Sequence, residues 1–134
     1  MWPFIDDAAS AIQFIMLVAC GILGVSHIVR PAMWVEIFGY LHGLGTRGVV
    51  IRTFLFELWP AMVIVTFHQV WWGFGIVLTV YGWAQLTKVA VSMLAPEIGL
   101  RSMAMAQKGD RSFILGGAML LIVGASAGAA LIWG

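Results

Sequence analysis

Residues 67–97 read FHQVWWGFGIVLTVYGWAQLTKVAVSMLAPE. The stretch is almost wholly apolar, and its apolar part exceeds the roughly 20 residues that a helix needs to cross a ~30 Å hydrocarbon core. Its polar side chains follow one another at intervals of four, three and four residues, at Tyr81, Gln85, Lys88 and Ser92. This spacing places them on one helical face. The stretch therefore predicts a membrane-spanning helix with a polar stripe that needs partners other than lipid.

Three other apolar runs have a similar length, so the sequence predicts spans at about 8–29, 48–67, 70–94 and 112–133. The chain is 62% hydrophobic and 10% charged, with a mean hydropathy of +1.00, whereas soluble domains are about 25% charged. Backbone groups in lipid must be satisfied within the segment, which favours helices. We expect an all-α membrane protein: one domain, residues 1–134, forming an up-down bundle of four transmembrane helices. This composition excludes a large soluble core and disfavours nucleic-acid binding.

The connection between the first two spans predicts a short interfacial helix at about 32–42. Its apolar residues fall on one helical face, at Met33, Trp34, Ile37, Phe38 and Leu41. Pro31 suits a helix start and Gly43 a helix end. We expect an anchor lying in the interface, with a partner-docking surface as the alternative. Residues 96–111 allow a second surface helix, although Gly99 and Gly109 weaken that prediction.

Positive charge is confined to two of the connections. All seven basic residues border the first or the third connection: Arg30, Arg47, Arg52, Lys88, Arg101, Lys108 and Arg111. The positive-inside rule then places these connections in the cytoplasm and both termini on the outer side, which for a bacterial inner membrane is the periplasm. Tryptophans support this orientation as interface anchors, with Trp34 at the cytoplasmic face and four at the outer ends, namely Trp2, Trp71, Trp72 and Trp133. Trp59 and Trp83 lie within spans and are expected to pack between helices.

Two opposite charges fall at similar depths in neighbouring spans. Glu57 lies nine residues beyond Gly48, about 13 Å at 1.5 Å per residue, and Lys88 lies six residues before Leu94, roughly 9 Å. A lysine side chain reaches several ångströms along a helix, so a Glu57–Lys88 contact is geometrically allowed. Thr53 shares a helical face with Glu57. The sequence thus predicts an intramembrane polar cluster of Thr53, Glu57, Tyr81, Gln85 and Lys88.

Three interpretations of this cluster remain open. Glu57 and Lys88 can neutralise each other and fix the register of the hairpin, since an unpaired charge costs roughly 2.5–3.5 kcal/mol on insertion scales. Alternatively, Lys88 reaches the interface while Glu57 meets Arg52 or a neighbouring subunit. In the third interpretation, Glu57 exchanges protons in a transport pathway, next to a helix that Pro60 could kink.

Small residues recur on two spans at a spacing that permits close helix packing. The fourth span carries Gly124 and Gly128, with Gly117 one heptad earlier, and the first carries Cys20 and Gly24. Such faces allow helix backbones to approach closely. They can pack within the chain or against a neighbouring subunit.

The sequence offers no catalytic set. No zinc-ligand spacing, phosphate-binding glycine loop or pair of catalytic carboxylates is present. His27 and His68 are predicted at opposite membrane faces and cannot share a haem iron, which leaves a His27/His42 site as a minor alternative. We predict no catalytic, cofactor or metal site. The expected partners are membrane lipids, some of them bound, and other membrane-protein subunits.

The third span and its flanks resemble a type of small bacterial four-helix membrane protein. The likeness rests on FHQVW at 67–71, on Thr79, Gly82 and Trp83 in LTVYGW, on Lys88, and on the Pro96-Glu97 stop. It implies the fold and a bacterial origin but no activity. It further implies that Lys88 and the turn around His68 and Trp71 belong to the architecture.

The favoured function is that of a non-catalytic accessory subunit in a larger bacterial membrane complex, with respiratory or photosynthetic complexes as reasonable hosts. The alternative is a small oligomeric transporter that uses Glu57 as its proton-titrating site. A haem or quinone protein ranks last.

Overall fold

The computed structural model describes residues 2–106 and 108–134. Within these residues the chain is helical without strands, and its helices are α1 Ala8–Val29, α2 Pro31–Gly43, α3 Thr46–Phe67, α4 Gly75–Leu94, α5 Pro96–Ala106 and α6 Asp110–Trp133. Four of them, α1, α3, α4 and α6, have 20 to 24 residues and are apolar enough to cross a membrane. The predicted all-α fold with four transmembrane helices is confirmed, and the protein is a multi-pass membrane protein.

The start of α4 and the presence of α5 both bear on the sequence prediction, and a glycine is involved in each. Helix α4 begins at Gly75 and not near residue 70, because the chain turns at Gly73 with a φ of +57°, a conformation that ends regular helix. Helix α5 forms despite Gly99, which serves close packing here. A Cβ at Gly99 would lie 2.6 Å from the Val49 side chain, so only glycine lets α5 approach the start of α3.

The first turn of α1 is closed by a capping box. The Asp7 carboxylate accepts a hydrogen bond from the backbone N–H of Ser10 at 2.7 Å, and the Ser10 hydroxyl accepts one from the backbone N–H of Asp7 at 3.0 Å. The backbone hydrogen bond from Ser10 lowers the pKa of Asp7, because it favours the charged form. The helix therefore begins at a defined residue.

Helix α3 changes its winding halfway along. Residues Thr53–Leu58 form a π-helical stretch, and Pro60 follows two residues later. Proline lacks the N–H that the carbonyl four residues earlier would accept, so regular α-helical hydrogen bonding cannot continue through this point. A π-helix bonds residues five apart, which aligns Arg52 with Glu57. The widened turn stands where the sequence suggested a kink.

The small residues pack α1 against α6 within the chain. Cβ atoms added at Gly24 and Gly117 would each lie within 2.8 Å of the other residue's carbonyl oxygen. Further along, a Cβ at Gly124 would lie 3.1 Å from the Cys20 Cβ, and one at Gly128 would lie 3.0 Å from Leu17. These antiparallel helices therefore meet backbone to backbone, as small-residue faces allow in membranes.

Two apolar clusters lie at opposite ends of the bundle. One joins the four spans and contains Ile12, Met16, Cys20, Ile64, Leu78, Val123 and Ala127. The other joins α2 and α5 to the start of α3 through Leu41, Val49 and Met103. The second cluster places the first and third connections at the same end, so the basic residues that border them gather there.

A matched pair of substitutions on α6 tests the packing of α1 against α6. Gly117→Ala should lower the free energy of unfolding by about 1–3 kcal/mol, because the new methyl group meets the Gly24 carbonyl. The neighbouring Gly116→Ala should be neutral or slightly stabilising, since its Cβ meets nothing within 4 Å. Unfolding of both variants in the same detergent micelles gives the comparison. Equal effects would contradict the close approach of the two helices.

Candidate functional site

A cavity of about 340 Å³ opens in the half of the bundle that faces α2. The four spans provide its walls, and α2 covers one end. Four polar side chains line it, at His27, Glu57, Gln85 and Lys88, together with Trp34 and Tyr81. The rest of the lining is apolar: Leu23, Ile37, Phe38, Phe56, Pro60, Gly116, Met119 and Leu120. Volume and lining fall in the range of small-molecule sites.

Glu57 contacts two cations at once. Its Oε1 atom lies 2.8 Å from Lys88 Nζ and 3.6 Å from Arg52 Nε. The Lys88 side chain is 45% exposed, whereas those of Glu57 and Arg52 are 14% and 4% exposed. The structure thus combines two contacts that the sequence treated as alternatives, because Lys88 joins α4 to α3 while Arg52 lies on α3 itself.

Thr53 stands apart from the rest of the predicted polar cluster. Tyr81, Gln85, Lys88 and Glu57 all line the cavity, but Thr53 does not. Thr53 is fully buried and its hydroxyl has no hydrogen-bond partner. The grouping with Glu57 rested on helical spacing alone, which did not show that Thr53 is covered or that Arg52, five residues before Glu57, lies beside it. Arg52, which the sequence offered only as an alternative partner, takes the place of Thr53 beside Glu57.

An aromatic wall closes the α2 side of the cavity. The ring of His27 stacks on that of Trp34 with centroids 4.2 Å apart, and His27 Nδ1 donates to the Leu23 carbonyl at 2.7 Å. Trp34 Nε1 donates to the Ser26 hydroxyl at 2.9 Å. Trp34 was predicted as an interface anchor, and its indole N–H is engaged inside the chain. Among the described residues, no group of three or more His, Cys, Asp or Glu could hold a metal ion.

The opposite end of the bundle is closed by a buried hydrogen-bond network around His68. Gln13 Nε2 lies 3.1 Å from His68 Nε2, and His68 Nδ1 lies 2.9 Å from the Thr79 hydroxyl. An amide nitrogen donates, so Nε2 accepts and Nδ1 carries the proton. The Thr79 hydroxyl accepts a hydrogen bond from the Nδ1–H group and itself donates one to the Val70 carbonyl at 2.6 Å. One residue each from α1 and α4 is thereby held to the α3–α4 turn.

The His68 ring is kept neutral by its surroundings. It is fully buried beyond the end of α3, and this burial lowers its pKa. The sequence missed this network, since its members lie 55 and 11 residues apart. The sequence held two signals for the network: a glutamine in the first apolar run, and a histidine in the turn that the resemblance assigned to the architecture.

The positions of two of the tryptophans differ from expectation. Four are exposed at the end that holds the termini and the α3–α4 turn: Trp2, Trp71, Trp72 and Trp133. The contact between Trp133 and Phe74, with ring centroids 6.2 Å apart, ties the C-terminus to that turn. The expectation that Trp59 and Trp83 pack between helices is wrong, because they are 55% and 43% exposed on the outside of α3 and α4. For Trp83 the sequence did hold a signal, because a residue two positions from Tyr81 and Gln85 lies on the opposite side of the helix from the polar stripe.

The two threonines of α4 allow a matched test of the His68 network. Thr79→Val should lower the free energy of unfolding by about 1–3 kcal/mol, because it leaves His68 Nδ1 and the Val70 carbonyl without a partner. Thr87→Val removes only a hydroxyl bonded to the Trp83 carbonyl of its own helix, on an exposed face. Its effect should stay within about 0.5 kcal/mol. Similar losses in thermal unfolding would contradict the role of the network.

Comparison with protein-family models, with curated proteins and with solved structures finds no match to this chain.

Proposed function

We propose that the chain is a non-catalytic accessory subunit of a larger bacterial membrane complex. The observation that carries this proposal is the outward position of Trp59 and Trp83. Each lies eight residues from the turn end of its helix, roughly 12 Å at 1.5 Å per residue. Tryptophan prefers the membrane–water interface to the hydrocarbon region. Two exposed indoles at one depth of the α3–α4 hairpin fit a face that packs against another membrane protein.

The surroundings of Trp59 support a lateral contact surface. Phe54 packs edge-on against Trp59 with ring centroids 5.7 Å apart, and both are largely exposed. Aromatic side chains concentrate binding energy at protein interfaces. The glycine faces do not contribute, since α1 and α6 use them on each other. The partner surface that we propose is therefore the aromatic outer face of the hairpin.

The proposed setting is the inner membrane of a bacterium, with both termini in the periplasm. Support comes from the location of all seven basic residues at or near the end formed by α2 and α5. The resemblance of residues 67–97 to small bacterial four-helix membrane proteins agrees with this setting. Respiratory and photosynthetic complexes remain reasonable hosts.

Proton-coupled transport through Glu57 has less support. Glu57 Oε1 is held by two cations, and Glu57 Oε2 is buried without a hydrogen-bond partner. These contacts engage the carboxylate in joining α3 to α4. A transported proton or ion would have to displace Lys88 or Arg52 to reach Oε1.

The proposal predicts a stoichiometric partner that depends on the hairpin face. The protein extracted from its native membrane in a mild detergent should appear by native mass spectrometry in a complex with at least one other polypeptide. Trp59→Ala combined with Trp83→Ala should reduce that complex about tenfold or more, since truncating a tryptophan that is an interface hot spot costs about 2 kcal/mol or more. Trp72→Ala, which removes a more exposed tryptophan at the turn, is the control. A lone chain or a pure homo-oligomer would contradict the proposal.

A further inference from the structure

Arg52, Glu57 and Lys88 form a charged cluster beside the cavity, and their charges do not balance. Arg52 and Lys88 supply two positive charges and Glu57 supplies one negative charge, which leaves one positive charge over. Among the described residues, the only ion pairs are these two contacts of Glu57. Arg52 Nε and Nη2 are buried without a hydrogen-bond partner. Since unpaired charge inside a membrane is costly, this excess calls for a negatively charged partner.

In the cavity the Lys88 ammonium group is accessible, whereas two oxygen atoms that could accept hydrogen bonds are buried. Lys88 lines the cavity with a side chain that is 45% exposed, and its ammonium has three donors of which Glu57 uses one. By contrast, Glu57 Oε2 and Gln85 Oε1 have almost no accessible surface. A molecule that enters the cavity therefore meets an ammonium group before it meets a carboxylate.

The other walls suit an apolar chain. Phe38 and Leu120 are partly buried lining residues, while Phe56 and Met119 line the cavity and are also strongly exposed on the outside of the bundle. The cavity therefore reaches the lipid-facing surface through an apolar rim. A ligand with a polar head and an apolar tail can place its head at Lys88 and its tail past Met119 into the bilayer.

We infer that this cavity binds a membrane amphiphile with an anionic head, either the phosphate of a phospholipid or the carboxylate of a fatty acid. The head balances the excess positive charge through Lys88, by charge-assisted hydrogen bonds. A volume of about 340 Å³ accommodates a head group and the first part of a chain, and it lies within the usual range for ligand sites. The site belongs to the single chain and holds whether or not the chain joins a larger complex.

Lipid retention by the full-length protein tests this inference. The purified, delipidated protein in detergent is mixed with equal amounts of palmitoyl-oleoyl-phosphatidylglycerol and phosphatidylcholine of the same chains, or with oleate, and examined by native mass spectrometry. One phosphatidylglycerol or one oleate should be retained per chain, at least about tenfold over phosphatidylcholine. Retention of phosphatidylglycerol alone assigns a phospholipid head, and retention of oleate alone assigns a fatty acid. Equal retention of phosphatidylglycerol and phosphatidylcholine overturns the inference, as does displacement of the bound amphiphile by millimolar inorganic phosphate.

A matched pair of lysine variants locates the site. Lys88→Met keeps most of the length of the side chain, removes the charge excess and leaves Glu57 with Arg52, so the fold should persist. It should lose the preference for the anionic head. Lys108→Met removes an exposed lysine that does not line the cavity, and it should retain the preference. Loss of the preference in both variants, or in neither, overturns the assignment to this cavity.

Discussion

The contact of Glu57 with two cations is the interaction on which the rest of the structure depends. Lys88 reaches Glu57 from the neighbouring helix at 2.8 Å and thereby sets the register of α3 against α4. Arg52, which lies five residues before Glu57 on α3, contacts the same oxygen atom at 3.6 Å. Removing the carboxylate would leave the buried Arg52 guanidinium without its counter-ion, and breaking a buried pair in this way typically costs about 3–5 kcal/mol. The π-helical stretch supports the same contact, because its five-residue spacing brings residues 52 and 57 onto one face.

The two ends of the bundle serve different purposes. At the end that holds the termini, Gln13, His68 and Thr79 hold α1, the turn and α4 together in a fully hydrogen-bonded network. A buried polar network of this kind rigidifies the structure because each group has a partner. At the other end the helices leave a cavity between them, covered by α2 and bordered by the charged cluster. The close contact of α1 and α6 keeps the bundle together past that opening.

Much of the fold could be predicted from the sequence, because the length of apolar runs and the depth of charges are properties of single helices. Counting residues from the helix ends placed Glu57 and Lys88 at one level, as they lie in the structure. Arg52 was only an alternative partner, since α-helical spacing turns it away from Glu57 and the π-helical stretch is not visible in the sequence. The His68 network joins residues that are distant along the chain. The outward position of Trp59 was missed because both sides of α3 are apolar.

The most direct test of the account is a double-mutant cycle between Glu57 and Lys88, measured as the free energy of unfolding in one detergent. With Glu57 present, Lys88→Met should cost at most about 1 kcal/mol, since Lys88 is half exposed and Arg52 still balances the carboxylate. With Glu57→Gln in place, Lys88→Met should instead be stabilising, because it removes an unpaired cation. The account predicts a coupling free energy of about 1–3 kcal/mol. Additive effects, with no coupling between the two positions, would contradict it.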